Sequence, residues 1–147
     1  MTKYFTIVPD VPYIADADLS ASANQYCFVT LSACHDDSVY LSNSSSVPFP
    51  QGVLQNSPCS GEEAQVRVIG FTKLRVDTQK TDLWAGTSPL YTNNWVQSGS
   101  KGVGLKSACV GTATAVSGRV ISGSLSSGSG FVHVLLYPQG FTSTTAS

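Results

Sequence analysis

A chain of 147 residues suits one domain, which can bury about two-thirds of the surface that it exposes when unfolded. Only 12% of its residues are charged, about half of the roughly 25% found in an average soluble domain. The net charge of −1 excludes the basic footprint of a nucleic-acid-binding protein, and the longest apolar runs are too short to cross a bilayer.

The N-terminal segment, MTKYFTIVPDVPYIADADLS, combines apolar residues with prolines. Its apolar run stops at Pro9 and Asp10 and is too short for the core of a signal peptide, so we expect no export signal here. The prolines disfavour a helix and a central position in a sheet. We predict an extended arm that contacts a neighbouring subunit, with a first strand inside its own barrel as the alternative. The predicted contact residues are Tyr4, Phe5, Ile7, Val8 and Tyr13.

Strand-like alternation begins after a short helical candidate, DADLSASAN. In YCFVTL the alternation puts Cys27, Val29 and Leu31 on one face, and we expect that face in the core. The next segment, ACHDD, gathers possible metal ligands or acid–base groups. Because neighbouring strand residues point in opposite directions, a solvated loop is the favoured interpretation. Its members are Cys34, His35, Asp36 and Asp37.

The four cysteines are Cys27, Cys34, Cys59 and Cys109. Without an export signal, we expect them to be free and largely buried thiols. Structural disulfides are the alternative. The nearest pair has six residues between its members, whereas a metal cluster would favour pairs spaced as C-x-x-C.

The segment from 64 to 76 has the clearest strand pattern of the chain. Its even positions are mostly apolar and its odd positions mostly polar, which predicts one strand bent at Gly70 or two strands meeting there. The preceding NSPCSGEE has the composition of a turn. Glu62 and Glu63 therefore lie where a strand begins, and we expect them in solvent rather than converging on a substrate.

Further strands are predicted in GVGLKSACV, AVSGRVISG and FVHVLLYP. The last is apolar on both faces, which is typical of a central strand or of one that meets another subunit. We predict self-association through its outer face, and we expect Pro138 to end it. The residues of that face are Phe131, Leu135 and Tyr137.

These elements predict an all-β protein, a single small β-barrel, β-tulip or sandwich. The predicted organisation is an extended N-terminal arm over residues 1–24, a barrel-like domain over 25–140 and a flexible C-terminal tail over 141–147.

Candidates for chemistry are few. A nucleophilic pair of Cys34 or Cys109 with His133 has no family signature to support it. The Gly-rich SGSLSSGSG precedes a strand rather than a helix, so it lacks the dipole of a phosphate site and is typical of a hairpin loop. We predict no catalytic residues, no cofactor and no bound metal.

A series of segments in the order PFPQGVLQNSPCSGEEAQVRVIGFTKLRVD, GTSPLYTNN, GVGLKSACVGTATAVSGRV and SSGSGFVHVLLYP resembles the small capsid decoration, or cement, proteins of tailed bacteriophages. The similarity covers roughly residues 48 to 138. The ACHDD loop, the cysteines and the first 25 residues lie outside the pattern. The matching positions are Gly52, Val53, Leu54, Gln55, Pro58, Gly61, Glu62, Val66, Val68, Gly70, Pro89, Leu90, Tyr91, Gly128, Val132, Val134, Leu135 and Leu136.

The resemblance implies a structural virion protein of barrel or tulip fold. Such a protein sits outside the head, often as a homotrimer, and bridges subunits of the major capsid protein to stabilise the shell. It implies assembly in the host cytoplasm, with no nucleic acid or membrane as partner.

Two other classes of protein remain as alternatives. A secreted or surface carbohydrate-binding or adhesin domain would use aromatic side chains as stacking platforms, but it would need an export signal and paired cysteines. A small hydrolase would use Cys34 or Cys109. The candidate platforms are Tyr40, Trp84, Tyr91 and Trp95.

Overall fold

The computed structural model describes residues 10–43, 50–78, 89–107 and 114–143, with side chains from 116 to 136 in the last range. Within these ranges the chain forms ten strands and two single-turn 3-10 helices, so the all-β prediction is confirmed. The strands are β1 Val11–Ala15, β2 Phe28–Leu31, β3 Ser38–Leu41, β4 Gly52–Leu54, β5 Glu63–Arg67, β6 Gly70–Asp77, β7 Trp95–Ser98, β8 Gly104–Lys106, β9 Thr114–Ser122 and β10 Ser129–Ser143. The 3-10 turns are Ser22–Asn24, inside the short helical candidate, and Ser100–Gly102.

The strands close two barrels rather than one. Strands β1 to β5 form the first barrel in the order β1-β3-β2-β4-β5, and β6 to β10 form the second in the order β10-β6-β8-β7-β9. Closure gives each of the ten described strands a neighbour on both sides, although β6 pairs with β8 only through Val76 and Gly104. Apolar and polar residues therefore alternate because each barrel strand turns one of its faces toward the interior.

The segment from 64 to 76 is the junction of the two barrels. Its even positions Ala64, Val66, Leu74 and Val76 are buried, as the alternation predicts. The strand is divided, however, because β5 ends at Arg67 and β6 begins at a glycine with φ of 93°. That left-handed conformation is one that glycine adopts without steric cost. The chain turns there from the first barrel into the second.

Two local predictions were wrong. Leu31 is 43% exposed, although the alternation of YCFVTL put it in the core. Strand β2 is buried on both sides as far as Thr30, because one face packs inside its own barrel and the other against the second barrel. Pro138 does not end β10, which continues to Ser143 across a shift in its register with β9.

The core consists of two clusters, and the first barrel contributes to both. Val29 lies in the smaller cluster, inside the first barrel. Phe28 and Val53 point the other way and join the larger cluster, formed mainly by residues of the second barrel. The two barrels are therefore joined by packed apolar side chains.

Residues 11–15 of the predicted arm form β1. This strand pairs in parallel with β3 and antiparallel with β5, which corresponds to the alternative kept for this segment. Tyr13 is partly buried against the smaller cluster, and its hydroxyl accepts a hydrogen bond of 2.9 Å from the Gln51 amide. The other predicted arm residues, Tyr4, Phe5, Ile7 and Val8, lie outside the described residues.

The two barrels have one topology. In each, the first strand pairs in parallel with the third and antiparallel with the fifth. The second strand pairs with the third and the fourth, and the fourth with the fifth, all antiparallel. The chain is thus a tandem repeat of one five-stranded unit.

The register of the pairing agrees with the repeat at particular residues. Gly52 on β4 and Gly118 on β9 each lie opposite the second residue of the neighbouring strand, β2 or β7. A Cβ on either glycine would meet a backbone carbonyl of the last strand of its barrel, that of Arg67 or Leu135. The same close approach of backbone thus requires glycine in both units.

The turn before the second strand is also repeated. Tyr26 and Asn93 both have positive φ, 65° and 77°, which is uncommon outside glycine. The Tyr26 amide donates to the Leu54 carbonyl at 2.8 Å, and the Asn93 amide donates to the Val120 carbonyl at 2.7 Å. These pairs occupy matching places in the two barrels.

Candidate interaction surfaces

The outer face of β6 and β10 presents aromatic and basic side chains to solvent, and we call it the aromatic–basic face. Phe71 is 63% exposed and Phe131 is 41% exposed, while His133 is also exposed. The strand pairing sets its rows as Leu135 with Phe71, His133 with Lys73, and Phe131 with Arg75. Self-association through the outer side of the last strand stays a prediction, and of its three residues Phe131 is the exposed one among those described. Leu135 is half-buried, and the side chain of Tyr137 lies outside the described residues.

Cations of this face are held against aromatic rings. The Lys73 ammonium lies 5.0 Å from the ring centre of Phe131 and 5.1 Å from that of Tyr26. The Arg75 guanidinium lies 4.6 Å from the Phe131 ring centre and donates a 3.1 Å hydrogen bond to the Ser22 carbonyl. Cation–π contacts of this kind stabilise by about 0.5–1 kcal/mol at exposed sites. The face is therefore organised before any partner binds.

A cleft of about 200 Å³ lies beside this face, between the first 3-10 turn and the start of β10. Arg75, Asp77 and Lys101 supply its charged lining. The cleft is small and half open, so it suits a side chain of a partner better than a free ligand of drug size.

Segments that carry acidic residues meet at one end of the first barrel, which we call the acidic end. The Ile14 amide donates to the Asp37 carbonyl at 2.8 Å, and the Ala15 amide donates to the Glu62 carbonyl at 2.9 Å. These bonds bring the β2–β3 loop and the β5 turn to the end of β1. The acidic side chains there are Asp16, Asp36, Asp37, Glu62 and Glu63.

The ACHDD loop and the glutamate turn behave as the sequence predicts. Cys34 to Asp37 are all exposed, and the imidazole Nδ1 of His35 lies 2.7 Å from the Asp16 carboxylate. Glu62 accepts a 3.4 Å hydrogen bond from the Cys59 amide, and Glu63 is exposed at the start of β5. The two carboxylates thus bond to different neighbours, Glu62 to the Cys59 amide and Glu63 to the Gln65 side chain.

The candidate residues for chemistry are dispersed. Cys34 belongs to the first barrel and His133 to the outer face of the second, while Cys109 lies outside the described residues. Cys34 and Cys59 are free and exposed, contrary to the expected burial, and Cys27 is buried.

In the part of the chain that the structure describes, no three potential metal-ligating residues come together. No described helix is long and apolar enough to cross a membrane.

The described members of the proposed sugar-stacking set differ in exposure, because Tyr91 is 52% exposed whereas Tyr40 and Trp95 are half-buried. Tyr40 belongs to the first barrel, whereas Trp95 begins β7 of the second, and Trp84 lies outside the described residues. The Arg119 guanidinium lies 5.8 Å from the Trp95 ring centre, so that ring already has a cationic neighbour.

The sequence interpretation missed the tandem repeat and the pairing of cations with aromatic rings. Internal repeats are detectable as similarity at a fixed spacing, but here the two units share few identities. The signal was restricted to short matches, such as the aromatic residue followed by valine in Phe28-Val29 and Trp95-Val96. The cation–aromatic rows required the pairing of β6 with β10, which a single strand pattern does not contain.

No family model matches the sequence, and no curated protein matches it significantly. Among solved structures, the fold is similar to that of the N base of the head fiber gp8.5 in bacteriophage phi29, known from a crystal structure. The TM-score is 0.59 at 12% sequence identity, and the match covers 90% of this chain and 96% of that chain. At this identity the likeness shows the fold, and its coverage means that both barrels take part.

Proposed function

We propose that this chain is a structural protein of a bacteriophage head, bound to the outer surface of the shell as a decoration protein. The single observation that carries the proposal is the fold likeness to the base of a head fiber over 90% of this chain. The order of sequence segments resembles capsid decoration proteins, which also belong to phage heads. The two lines of support reach the same class of protein by different routes.

The proposed role is mechanical and involves no catalysis. The chain bridges subunits of the major capsid protein and stabilises the shell, as a homotrimer assembled in the host cytoplasm. Two closed barrels joined by a shared apolar core suit a rigid clamp, because every strand is paired on both sides. The exposed rings of Phe71 and Phe131 supply apolar contact area for the association of copies.

The capsid contact is proposed to include the segment before β1. The segment before Asp10 contains the apolar residues Tyr4, Phe5, Ile7 and Val8. The Arg67 guanidinium lies 2.8 Å from the Asp10 carboxylate. This ion pair fixes the start of the first barrel.

Co-sedimentation with purified heads tests the proposal. The tagged chain is mixed with heads of the phage whose genome encodes it, after the native copies have been removed. We expect saturable binding at the outer surface and greater resistance of the heads to heat or osmotic shock. Absence of the chain from virions, together with no binding to the stripped heads, would refute the proposal.

Two deletions separate attachment from folding. Removing residues 2–9 leaves β1 intact, so the thermal midpoint should stay within about 3 °C while head occupancy falls. Removing residues 2–15 also deletes β1, which pairs with two strands, and should unfold the first barrel. Full head occupancy of the shorter deletion would assign the capsid contact to the barrels instead.

A further inference from the structure

The near-neutral net charge conceals a division of charge between the two barrels. From residue 10 to 69 the sequence has seven acidic residues and one basic residue, a net of −6. From residue 70 to 143 it has six basic residues and two acidic ones, a net of +4. A repeat of one unit thus has an acidic first half and a basic second half.

The division is visible at matching positions of the two outer faces. On the first barrel Ile14 of β1 lies opposite Glu63 of β5. The same two positions of the second barrel are occupied by Arg75 of β6 and Phe131 of β10, also directly opposite each other. Each pair combines an apolar residue with a charge, but the sign of the charge and the strand that carries it are exchanged.

Exposed apolar surface lies within both charged regions. Ile14 is 44% exposed at the acidic end, where it lies opposite Glu63 and its amide donates to the Asp37 carbonyl. Phe71 is 63% exposed on the aromatic–basic face, and Lys73 lies against the exposed ring of Phe131. Each region therefore offers an exposed apolar residue beside charges that are mainly of one sign, although Asp77 lies near the aromatic–basic face and His35 contacts Asp16 at the acidic end. An apolar centre with a charged rim is the arrangement of a protein interface.

We propose that these two regions bind each other between copies: the acidic end of one chain docks on the aromatic–basic face of the next. This inference rests on the self-association in the proposed function and adds the surfaces that make it. Such a contact is heterologous, because it joins two different surfaces. When it is repeated from copy to copy, it forms a closed ring if the rotation between neighbouring copies closes on itself. Two aromatic–basic faces brought together would instead juxtapose like charges, which costs several kcal/mol in known interfaces.

Charge-reversal variants of the full chain test the contact. Glu63→Lys alters the acidic end and Lys73→Glu alters the aromatic–basic face, and both residues are exposed. Lys106→Glu is the matched control, because β8 lies on the other side of β6 from β10. Association is measured by sedimentation velocity at ionic strengths of about 0.05 M and about 0.5 M, where screening differs strongly.

We expect the wild-type chain to associate at low salt and its dissociation constant to rise at least about tenfold at high salt. Each single reversal should weaken association at least about tenfold, whereas the control should stay within about twofold of wild type. An equimolar mixture of the two reversals should recover association, to a dimer at least. In that mixture one chain supplies an intact acidic end and the other an intact aromatic–basic face.

Several results would overturn the inference. The first is a wild-type chain that is monomeric at about 100 μM and low salt. The second is an oligomer that neither reversal weakens. The third is a mixture of the two variants that does not recover association. Binding of a labelled single-stranded oligonucleotide that Lys73→Glu abolishes without any change in mass would assign the face to nucleic acid. Head binding by a monomer would refute this contact and the homotrimer but leave the decoration role standing, while a ring that does not bind heads would refute the decoration role alone.

Discussion

The two barrels have the same strand order and the same register but different outer surfaces. Gly52 and Gly118 occupy one position because the backbone of the last strand approaches too closely for a Cβ. At the outward positions the residues diverge, with Ile14 and Glu63 in one barrel and Arg75 and Phe131 in the other. Packing therefore restricts the positions that face a neighbouring backbone, whereas exposed positions differ in apolarity and in charge.

A second difference concerns how the barrels depend on each other. The first barrel contributes Phe28 and Val53 to the core cluster of the second. A hydrogen bond also joins the two barrels, because the Gly102 amide of the second donates to the Ser42 carbonyl of the first at 2.5 Å. The barrels resemble each other in topology, yet we expect them to unfold together.

The largest expected effect tests this coupling. Phe28→Ala removes a fully buried ring from the cluster that joins the barrels, and it should destabilise the protein by about 4 kcal/mol. Val29→Ala, inside the first barrel only, should cost about 2 kcal/mol. Denaturant unfolding followed by near-ultraviolet circular dichroism measures both. Independent transitions of the two barrels in the wild-type chain would contradict the coupling.

A matched pair of loop positions gives the next effect. Asp37 and Gly102 both have positive φ, 53° and 72°, in the turns that precede β3 and β8. Gly102→Asp would place a Cβ against the backbone of Phe28 and should cost about 3 kcal/mol. Asp37→Gly occupies an exposed turn and should change stability by less than about 1 kcal/mol. Equal changes in stability for the two variants would contradict the difference in packing between the two turns.

A smaller effect concerns the ion pair between Arg67 and Asp10 in the first barrel. Arg67 bonds both carboxylate oxygens of Asp10, at 2.8 and 3.2 Å, and its place in the second barrel is taken by Leu135. A double-mutant cycle with Arg67→Ala and Asp10→Ala should give a coupling free energy of about 1 kcal/mol, since the pair is partly exposed. A coupling near zero would mean that the pair does not fix the start of β1.

The smallest effect is a dependence on pH in the first barrel. The hydroxyl of Ser20, and then its amide, lower the pKa of Asp18 below its ordinary value of 3.8. Because the folded pKa is depressed, the stabilisation is fully present above pH 3.8 and is lost as pH falls through the folded pKa. A titration of Asp18 by carboxylate chemical shift should show the lowered pKa, and Ser20→Ala should return it toward the ordinary value. An unchanged titration in that variant would refute the assignment.

Much of the fold follows from the sequence because barrel walls bury every second residue. The alternation from Ala64 to Val76 and from Val132 to Leu136 gives the strands and their inward faces. It fails at Leu31, which is the last residue of β2 and is exposed, although the strand is buried on both faces as far as Thr30. The pairing of distant strands is not local information, so the division into two barrels was not predicted.

The candidate surface was predicted in part, for the same reason. The outer side of the last strand was identified from Phe131 and Leu135, because an apolar residue at an outward position is visible in one strand. Lys73 and Arg75 were seen only as polar positions of another strand. Their place against the Phe131 ring depends on the β6–β10 register.

Cryo-electron microscopy of virions from the phage whose genome encodes this chain tests the central claim most directly. The account predicts density for both barrels on the outside of the head, in contact with the major capsid protein, with the acidic end of one copy on the aromatic–basic face of the next. Virions whose outer surface lacks this density, and whose protein content lacks this chain, would contradict it.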